Sequence, residues 1–370
     1  MSRLDELIAE LCPDGVEYKM LNTVAEIGTG SSNRVDADED GIYPFYVRSK
    51  NVMKSNKYIF DEEAIIIPGE GGIGEIFHYI NGKYDLHQRA YRIHFFDNYI
   101  NAKFAYYYLM SNFKKFIMMK AVNATVTSIR KPMIECFLIP VPPLPVQQEI
   151  VRILDKFTAL EAELEAELEA RKKQYEYYRD SLLTFGDDVE RKTIDTVCSL
   201  SAGGDVPRDR LSREKTDIFS IPIYSNGTGE NALYGWTDTS KIDTPCVTIS
   251  ARGTIGYCAI HEMPFYPVVR LICAIPKDSL NVRFLKYSME TLQFQVPTSG
   301  IPQLTVPMLA KHKIPVPPHE EQSRIVAILD RFDALVNDIT QGLPAEIEAR
   351  CKQYEYYRDK LLTFKEAASS

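Results

Sequence analysis

The stretch IPVPPLPVQQEIVRILDKFTAL at residues 139–160 occurs a second time, as IPVPPHEEQSRIVAILDRFDAL at residues 314–335. Further along, ARKKQYEYYRDSLLTF at 170–185 returns with two changes as ARCKQYEYYRDKLLTF at 349–364. The first pair is offset by 175 residues and the second pair by 179, so the second copy has gained four residues between them. This repetition indicates that the chain consists of two copies of one unit.

Weaker similarity extends upstream of both stretches. VEYKMLNTV at 16–24 matches VERKTIDTV at 189–197, and SIRKPM at 128–133 corresponds to QLTVPM at 303–308. Each copy is therefore a globular segment followed by a helix. Because the helical parts are close copies while the globular parts have diverged, the pattern suggests a shared frame that carries two different readers.

The segments after IPVPP have the apolar spacing of long helices. Apolar residues recur at steps of three and four, which predicts a heptad-like stripe that is buried against another helix. The stripe comprises Ile153, Phe157, Leu160, Leu164, Leu168, Tyr175, Tyr178 and Leu182 in copy one, and Ile328, Phe332, Leu335, Ile339, Leu343, Ile347, Tyr354, Tyr357 and Leu361 in copy two. Two helices of about 40 residues, each roughly 60 Å long, would form an antiparallel coiled coil. We expect this pair to separate the globular parts around a pseudo-twofold axis.

The two predicted helices differ in two places. Copy two contains Gly342 and Pro344, which suit the end of one helix and the first turn of the next, so we expect a kink or a short break there. Copy one repeats LEAE at 160–163 and 164–167. That repeat is either a ruler-like spacer element or simply good surface helix.

The tyrosines of the sixteen-residue repeat allow two interpretations. In the first, Tyr175, Tyr178, Tyr354 and Tyr357 line the seam between the helices. In the second, Tyr177, Arg179, Tyr356 and Arg358 form a binding patch for a partner protein. Near-identity of the two copies suits a partner that is bound twice.

The net charge of −8 is unevenly distributed. Residues 140–188 carry −5 and residues 315–370 carry −3, whereas the globular segments 16–139 and 189–314 carry +1 and +2. Nucleic-acid binding needs a basic face rather than a basic whole, so the total does not exclude it. Clusters such as Arg208, Arg210, Arg213 and Lys215 are weak evidence alone, because most surface charge is merely solvated.

The sequence lacks recognisable catalytic motifs. It has no phosphate-binding loop with its lysine, no H-E-x-x-H, no C-x-x-C and no histidine pair at metal-ligand spacing, so we expect no metal site. We interpret GTGSSNR at 28–34 and GEGGIGE at 69–75 as turns. No long apolar run or signal peptide occurs, which predicts a cytoplasmic protein whose seven cysteines are free thiols.

The doubled IPVPP…Q…IV.ILD.F.AL segments, each following a diverged globular unit, resemble the specificity subunits of type I restriction–modification systems. The resemblance covers essentially the whole chain and is strongest in the helical repeats. It implies a non-catalytic α+β protein with target-recognition domains at 16–143 and 189–318, an N-terminal segment at 1–15, and spacer helices at 144–188 and 319–370. Each domain would read half of a split double-stranded DNA target.

The resemblance also implies partners. Two methyltransferase subunits would dock on the frame and bring S-adenosylmethionine, and restriction subunits would bring ATP- and Mg-dependent translocation and cleavage. No cofactor is expected in this chain, and no membrane partner is expected.

DNA contacts are expected at polar residues in loop segments, because arginine, asparagine and glutamine can contact bases while the others suit phosphates. In the first domain these are Arg48, Lys50, Asn51, His87, Gln88, Arg89, Thr125, Thr127, Ser128 and Arg130. In the second domain they are Arg208, Arg210, Ser225, Asn226, Thr228, Arg252, Ser299 and Gln303. For any one of them, a structural role or simple solvation is the alternative.

Two rival functions remain at this point. The chain could be a coiled-coil interaction scaffold whose globular parts bind no DNA, which a test of salt-sensitive DNA binding would separate from a specificity subunit. It could also be a self-sufficient DNA-modifying enzyme with an unfamiliar site. Methyl transfer by the chain alone would support that alternative.

Overall fold

The computed structural model describes residues 2–72, 74–96, 99–120, 128–295, 301–338 and 341–367. The chain forms two compact units. The first comprises Met1–Glu165 together with Ile347–Ser370, and the second comprises Ala166–Glu346. Within the described ranges, no helix has the length and apolarity needed to cross a bilayer.

The first unit contains eight strands in the part of the chain that the structure describes. Its strands are β1 (Tyr18–Met20), β2 (Ala25–Thr29), β3 (Tyr43–Tyr46), β4 (Met53–Ser55), β5 (Phe60–Pro68), β6 (His78–Leu86), β7 (Ala90–Phe95) and β8 (Leu138–Pro140). Its helices are α1 (Arg3–Leu11), α2 (Leu21–Val24), α3 (Ala102–Lys120), α4 (Lys131–Glu135), the start of α5 (Leu144–Leu182) and most of α10 (Leu343–Leu361). A short 3-10 helix covers Arg34–Asp36.

A six-stranded sheet organises this unit, in the order β2-β7-β5-β6-β3-β4, and β1 pairs separately with β8. Alternate residues of β5 are buried on opposite faces, as strand geometry requires. Ile65 and Ile67 pack into the main core with α3 and α5, and Ala64 and Ile66 pack into a second cluster with Tyr84. The central strand is therefore covered on both sides.

The second unit has a similar order of elements, with nine strands among its described residues. Its strands are β9 (Arg191–Thr193), β10 (Cys198–Ala202), β11 (Ile221–Tyr224), β12 (Leu233–Thr237), β13 (Cys246–Ser250), β14 (Cys258–His261), β15 (Tyr266–Pro267), β16 (Leu271–Pro276) and β17 (Lys313–Pro315). Its helices are the end of α5, α6 (Ile194–Val197), α7 (Val282–Glu290), α8 (Val306–Ala310) and α9 (His319–Asn337). The strands form sheets in the orders β10-β16-β13-β14, β12-β11-β15 and β17-β9.

The helices confirm the predicted break in copy two. The helix α5 runs without interruption for 39 residues, whereas its counterpart is divided into α9 and α10 of 19 residues each. The second helix begins at Leu343, directly after Gly342 and with Pro344 in its first turn. A side chain at Gly342 would meet the carbonyl oxygen of Ala334 at 2.6 Å, which explains why glycine ends the turn.

In the first unit, α5 and α10 run antiparallel. The ring of Phe157 stacks on Tyr357 at 5.8 Å, and the Glu161 carboxylate accepts a hydrogen bond from the Cys351 thiol at 2.6 Å. As the residue number rises on one helix it falls on the other. The helix α10 belongs to copy two of the sequence repeat, yet it is part of the unit that is built on copy one.

The predicted apolar stripe describes only part of the burial of α5. Its members Ile153 and Phe157 are half-buried, while Val146, Ile150 and Leu154 are fully buried against the first unit's core. The expectation that the helix is buried only against the other copy's helix was therefore wrong for this end. Its first turns are covered by the globular part of its own copy as well.

A buried glutamine explains the Q of the repeated motif. In the first unit, Gln147 accepts a hydrogen bond from the Asn101 N–H at 2.8 Å and donates to the carbonyls of Tyr99 and Pro142 at 2.8 and 2.6 Å. In the second unit, Gln322 accepts from the Asn281 N–H at 2.8 Å and donates to Ser279 and Pro317 at 3.0 and 2.8 Å. Both side chains are fully buried. Each joins the start of a long helix to the globular part.

The aspartate of the ILD sequence has an equally defined role. Asp155 accepts hydrogen bonds from the Tyr107 hydroxyl at 2.6 Å and the Lys103 ammonium at 2.7 Å. In the other unit, Asp330 accepts from the Tyr287 hydroxyl at 2.6 Å and from Arg283 at 3.3 Å. These carboxylates anchor α3 and α7 to the long helices. The repeated motif therefore attaches the long helices to the globular parts.

The fold class predicted from sequence is confirmed: two α+β units with a long helix. The predicted boundaries at residues 143, 188 and 318 divide the chain by sequence repeat and stay a prediction.

Candidate nucleic-acid interface

Four loop segments meet in the first unit. Two of these segments follow strands β3 and β5, and the other two precede strand β7 and helix α4. Backbone hydrogen bonds join the four segments. His87 N–H donates to the Tyr46 carbonyl at 3.0 Å, and Gly69 N–H donates to the Arg89 carbonyl at 2.9 Å. The N–H of Ile129 donates to the Gly69 carbonyl at 2.7 Å. Segments far apart in sequence thereby form one surface.

A cleft of about 570 Å³ opens on this surface. It is lined by Arg34, Val47, Arg48, Ser49, Asn51, Met53, Glu70, Gly71 and His87. The guanidinium groups of Arg48 and Arg89 both donate to one carboxylate oxygen of Glu70, at 2.8 and 3.0 Å. These arginines hold the pKa of Glu70 below its usual range, so the carboxylate is ionised at neutral pH.

The histidine at the cleft wall is neutral near pH 7. Burial, followed by the charges of Arg48 and Arg89, lowers the pKa of His87. Its Nδ1 accepts a hydrogen bond from the Arg89 N–H at 3.0 Å, so the ring acts as an acceptor that shapes the turn. The adjacent Gln88 is exposed and donates to the Asn33 side chain at 2.6 Å.

The second unit builds the same junction with other side chains. Val268 N–H donates to the Tyr224 carbonyl at 2.9 Å, and Ala251 N–H donates to the Arg270 carbonyl at 2.8 Å. The N–H of Leu304 donates to the Ala251 carbonyl at 2.8 Å. These three bonds match those of the first unit one for one. Arg48, Glu70 and Ser128 consequently correspond to Asn226, Arg252 and Gln303.

Two cavities flank this second junction. One of about 730 Å³ is lined by Asp205, Val206, Pro207, Arg208, Asp209, Arg210 and Val269. The other, of about 210 Å³, is lined by residues that include Ser225, Thr248, Tyr257 and His261. Burial lowers the pKa of His261 to about 4, and its ring lies 4.3 Å from that of Phe265. The histidine is thus a neutral, packed side chain.

Most of the predicted contact residues lie at these junctions. Arg48, Asn51 and His87 line the first cleft, Arg89 joins it through Glu70, and Ser128 forms a β-bridge with Glu70. Lys50 and Arg130 are exposed nearby in sequence. In the second unit, Asn226 donates to the Arg252 carbonyl at 2.7 Å, while Thr228 and Gln303 are exposed. Thr125, Thr127 and Ser299 lie outside the described residues.

Sequence reasoning missed Arg34, Glu70 and Arg270. The first two belong to the glycine-rich segments interpreted as turns, and that interpretation was incomplete because Gly28 and Thr29 end strand β2. Arg270 immediately precedes β16 as Arg89 precedes β7. Aligning LHQRA with PVVRL between the two copies would have revealed this pair.

The tyrosine-rich repeats divide their side chains between two environments. Tyr175 is buried, and Tyr178 stacks on Phe332 at 5.4 Å in the second unit. Tyr354 and Tyr357 contact Phe157 in the first unit. By contrast, Tyr177 and Tyr356 are 70% and 64% exposed.

The arginines next to these tyrosines are held within their own helices. Arg179 donates to Asp180 at 2.9 Å, and Arg358 donates to Asp359 at 3.1 Å. The Arg179 guanidinium also lies over the ring of the buried Tyr175, at 5.9 Å from its centre, and that of Arg358 lies over the half-buried Tyr354, at 5.6 Å. In the predicted patch, the two tyrosine rings are therefore the solvent-exposed groups, whereas the two arginines are half-buried.

Among the described residues, no group of three or more histidine, cysteine or acidic side chains is placed so that it could hold a metal ion. All seven cysteines are free thiols.

Comparison with known proteins gives a consistent result. The family model for the type I restriction modification DNA specificity domain matches residues 13–170 and again 186–349. A Mycoplasma pneumoniae relative described as a type I specificity subunit, S.MpnORF89P, is 33% identical over 323 residues, covering 83% of this chain and 95% of its own. The EcoR124I/EcoR124II specificity subunit of Escherichia coli is 39% identical over 246 residues, covering 60% of each chain.

The fold is also similar to a solved structure. The crystal structure of a type I restriction–modification S subunit from M. genitalium superposes with a TM-score of 0.61 over 94% of this chain and 96% of the other, at 16% identity. At that identity the likeness concerns the fold alone.

Proposed function

The chain belongs to the type I restriction–modification DNA specificity family, and from that premise we propose that each unit reads one half of a bipartite DNA target through its four-segment junction. The family assigns the chain sequence-specific DNA recognition with two recognition domains. This family membership does not favour the alternative of a coiled-coil scaffold that binds no DNA. The finer assignment of the contact surface rests on the geometry of the junctions.

One observation carries this assignment. Three matching backbone hydrogen bonds build the same junction in both units, yet the side chains presented there differ in size, polarity and charge. Recognition of two different half-sites requires a backbone frame that is the same in both units and polar side chains that differ between them. Arginine and asparagine at these positions have the donors and acceptors that distinguish base edges in the major groove.

Electrostatics supports the same surface. The first cleft combines Arg34, Arg48 and Arg89 with the single carboxylate of Glu70. A net positive cleft attracts phosphates, and the loops can then contact base edges. The acidic helices lie outside the recognition loops.

The proposed function is tested by removing Arg48. We expect Arg48→Ala to weaken binding of the assembled complex to its target about tenfold or more, because a good side-chain contact to a base contributes roughly 1–3 kcal/mol. Genome-wide methylation mapping of cells carrying the chain with methyltransferase subunits should show one relaxed half-site and an unchanged second half.

The matched control is Arg331→Ala, which removes an exposed arginine of α9. It should leave both the affinity and the methylated motif unchanged. If wild-type protein supported no split motif, or if both variants behaved alike, the assignment of the junction as the reading surface would fail.

Partners follow from the repeated helices. We assign Tyr177 and Tyr356 to the binding of two methyltransferase subunits, one at each copy, since the same exposed ring is presented twice. A groove of about 490 Å³ beside Tyr356 is lined by Lys352, Glu355, Asp359, Lys360 and Thr363. Restriction subunits would join the assembled complex.

Replacing both tyrosines tests this assignment. The double variant Tyr177→Ala/Tyr356→Ala is expected to lose most co-purification with methyltransferase subunits, because exposed aromatic anchors contribute strongly to interfaces. Tyr234→Ala, which removes a tyrosine that is 51% exposed elsewhere, serves as the control. Full recovery of the methyltransferase with the double variant would contradict the assignment.

Chemistry is assigned to the partners. We propose that this chain has no catalytic activity, works in the cytoplasm, and leaves S-adenosylmethionine to the methyltransferase subunits and ATP with Mg to the restriction subunits. The relatives it matches are specificity subunits, which supports this division. Methyl transfer by the purified chain alone would contradict it.

A further inference from the structure

Glu70 and Arg252 occupy the same place in the two units. Each is the second residue after the end of a central strand, β5 or β13. The preceding residue, Gly69 or Ala251, donates its N–H to the residue before β7 or β16 and accepts from the segment before α4 or α8. The backbone is thus matched on both sides, while the side chain is an acid in one unit and a base in the other.

The carboxylate of Glu70 is presented as a hydrogen-bond acceptor. Its side chain is 38% exposed, and both arginine bonds end on the same oxygen, Oε2. Among the residues that the structure describes, Oε1 accepts no hydrogen bond. Because the flanking guanidinium groups offset the repulsion between a carboxylate and DNA phosphates, the acid can lie close to a duplex.

Arg252 presents the opposite chemistry. Its backbone carbonyl accepts from Asn226, which fixes the main chain, and its side chain is half-buried. Within the described ranges, its guanidinium makes no hydrogen bond or ion pair. It therefore has donors available for a ligand, and bidentate donation to guanine O6 and N7 is the commonest specific arginine contact.

We propose that this shared position reads a base in each half-site with opposite polarity. Glu70 accepts a hydrogen bond from an exocyclic amino group, cytosine N4 or adenine N6, in the half-site of the first unit. Arg252 donates to a guanine in the half-site of the second unit. Glu70 and Arg252 are then specificity-determining residues, and the assignment rests on the proposed function.

Methylation mapping of the assembled complex tests the proposal. Glu70→Ala removes both carboxylate oxygens, and it is expected to relax preference about 10- to 100-fold at one base pair of one half-site. Arg252→Ala should do the same at one base pair of the other half-site, with the gap unchanged in both variants. Glu39→Ala, at an exposed loop of the first unit, should leave the motif intact.

Base analogues identify the contacted atom. At the base pair relaxed by Glu70→Ala, a duplex that carries pyrimidin-2-one for cytosine, or purine for adenine, lacks the amino group. We expect wild-type complex to bind that duplex about tenfold or more weakly than the normal target, and Glu70→Ala complex to bind both alike. An equal loss in both proteins would overturn the direct contact.

Other outcomes are equally decisive. Uniform weakening without a change at any base pair would assign Glu70 to holding Arg48 and Arg89, and would overturn the base-reading role. Relaxation by both variants in the same half-site would also overturn it. If wild-type complex methylated no split motif, the proposed function itself would fail, which is distinguishable from failure of this inference.

Discussion

Gln322→Ala is expected to lower the free energy of unfolding of the second unit by about 3 kcal/mol. The substitution leaves the Asn281 N–H and the carbonyls of Ser279 and Pro317 without their buried partner. Each buried polar group deprived of its hydrogen bond costs about 1–3 kcal/mol, and partial entry of water reduces the total. The same reasoning applies to Gln147→Ala in the first unit, where three equivalent bonds are lost.

Urea unfolding of the full chain, combined with hydrogen exchange at the start of α7, measures this loss and locates it. Because the chain has two units, the exchange data are needed to assign the change to one of them. Gln353→Ala, which removes an exposed glutamine, should change stability by less than about 0.5 kcal/mol.

A second variant tests the polarity of the site. Gln322→Glu keeps the acceptor but replaces the amide donor by an oxygen that faces two carbonyl groups. It should destabilise at least as much as Gln322→Ala. A loss below about 0.5 kcal/mol for either buried variant would show that the glutamine does not attach the helix to the globular part.

The repeat made much of the frame predictable. Apolar spacing and the IPVPP boundary located the start of both long helices, and Gly342 with Pro344 located the break between α9 and α10. These are local signals, because turn chemistry and helix termination depend on neighbouring residues. The roles of the repeated glutamine and aspartate were not predictable, since most of their partners lie more than 40 residues away.

The apolar periodicity of the sequence did not predict which segments pack together in each unit. The stripe on α5 shows which residues are apolar, but not which partner covers them. In the structure, the C-terminal part of copy two returns to the first unit, where the Val16 carbonyl accepts a hydrogen bond from the Ala367 N–H at 3.0 Å. Only long-range packing determines that exchange.

The residues of the candidate site were also only partly predictable from the sequence. Loop composition pointed to Arg48, Asn51 and His87, which the structure brings into one cleft. Glu70 was missed because a lone acid in a glycine-rich segment carries no signal of its own. Its significance comes from the two guanidinium groups that converge on it, from positions 22 and 19 residues away. Convergence of this kind is a property of strand pairing rather than of local sequence.

Gly30→Ala is expected to displace the segments that carry Arg34 and His87 to the first cleft, and to cost about 3 kcal/mol or more in the free energy of unfolding. A Cβ at this position would lie 1.8 Å from the Leu86 carbonyl oxygen, which belongs to rigid backbone. Relief requires the chain before Ser32 to move away from β6. Overpacking that shifts backbone typically costs 1–3 kcal/mol, and this contact is tighter than most.

The displaced segments carry the reading surface, so function should fall with stability. Ser32 N–H donates to the Leu86 carbonyl at 3.2 Å, and Ser32 also pairs with His87 in a β-bridge. Moving this contact misplaces His87 and Arg34 at the cleft. In the assembled complex, we expect methylation of the split target to fall at least tenfold at the growth temperature.

Gly28→Ala, two residues earlier in β2, provides the control. Its Cβ would meet the Arg92 Nε at 3.4 Å, an ordinary contact, and its backbone is not in the left-handed region. That variant should stay within about 1 kcal/mol of wild type, because the added methyl also restricts the unfolded chain. Equal stability and equal methylation for the two variants would mean that the approach of Gly30 to Leu86 does not hold the cleft together. A large loss confined to Gly30→Ala would show that a close backbone contact, rather than the arginines alone, positions the reading surface.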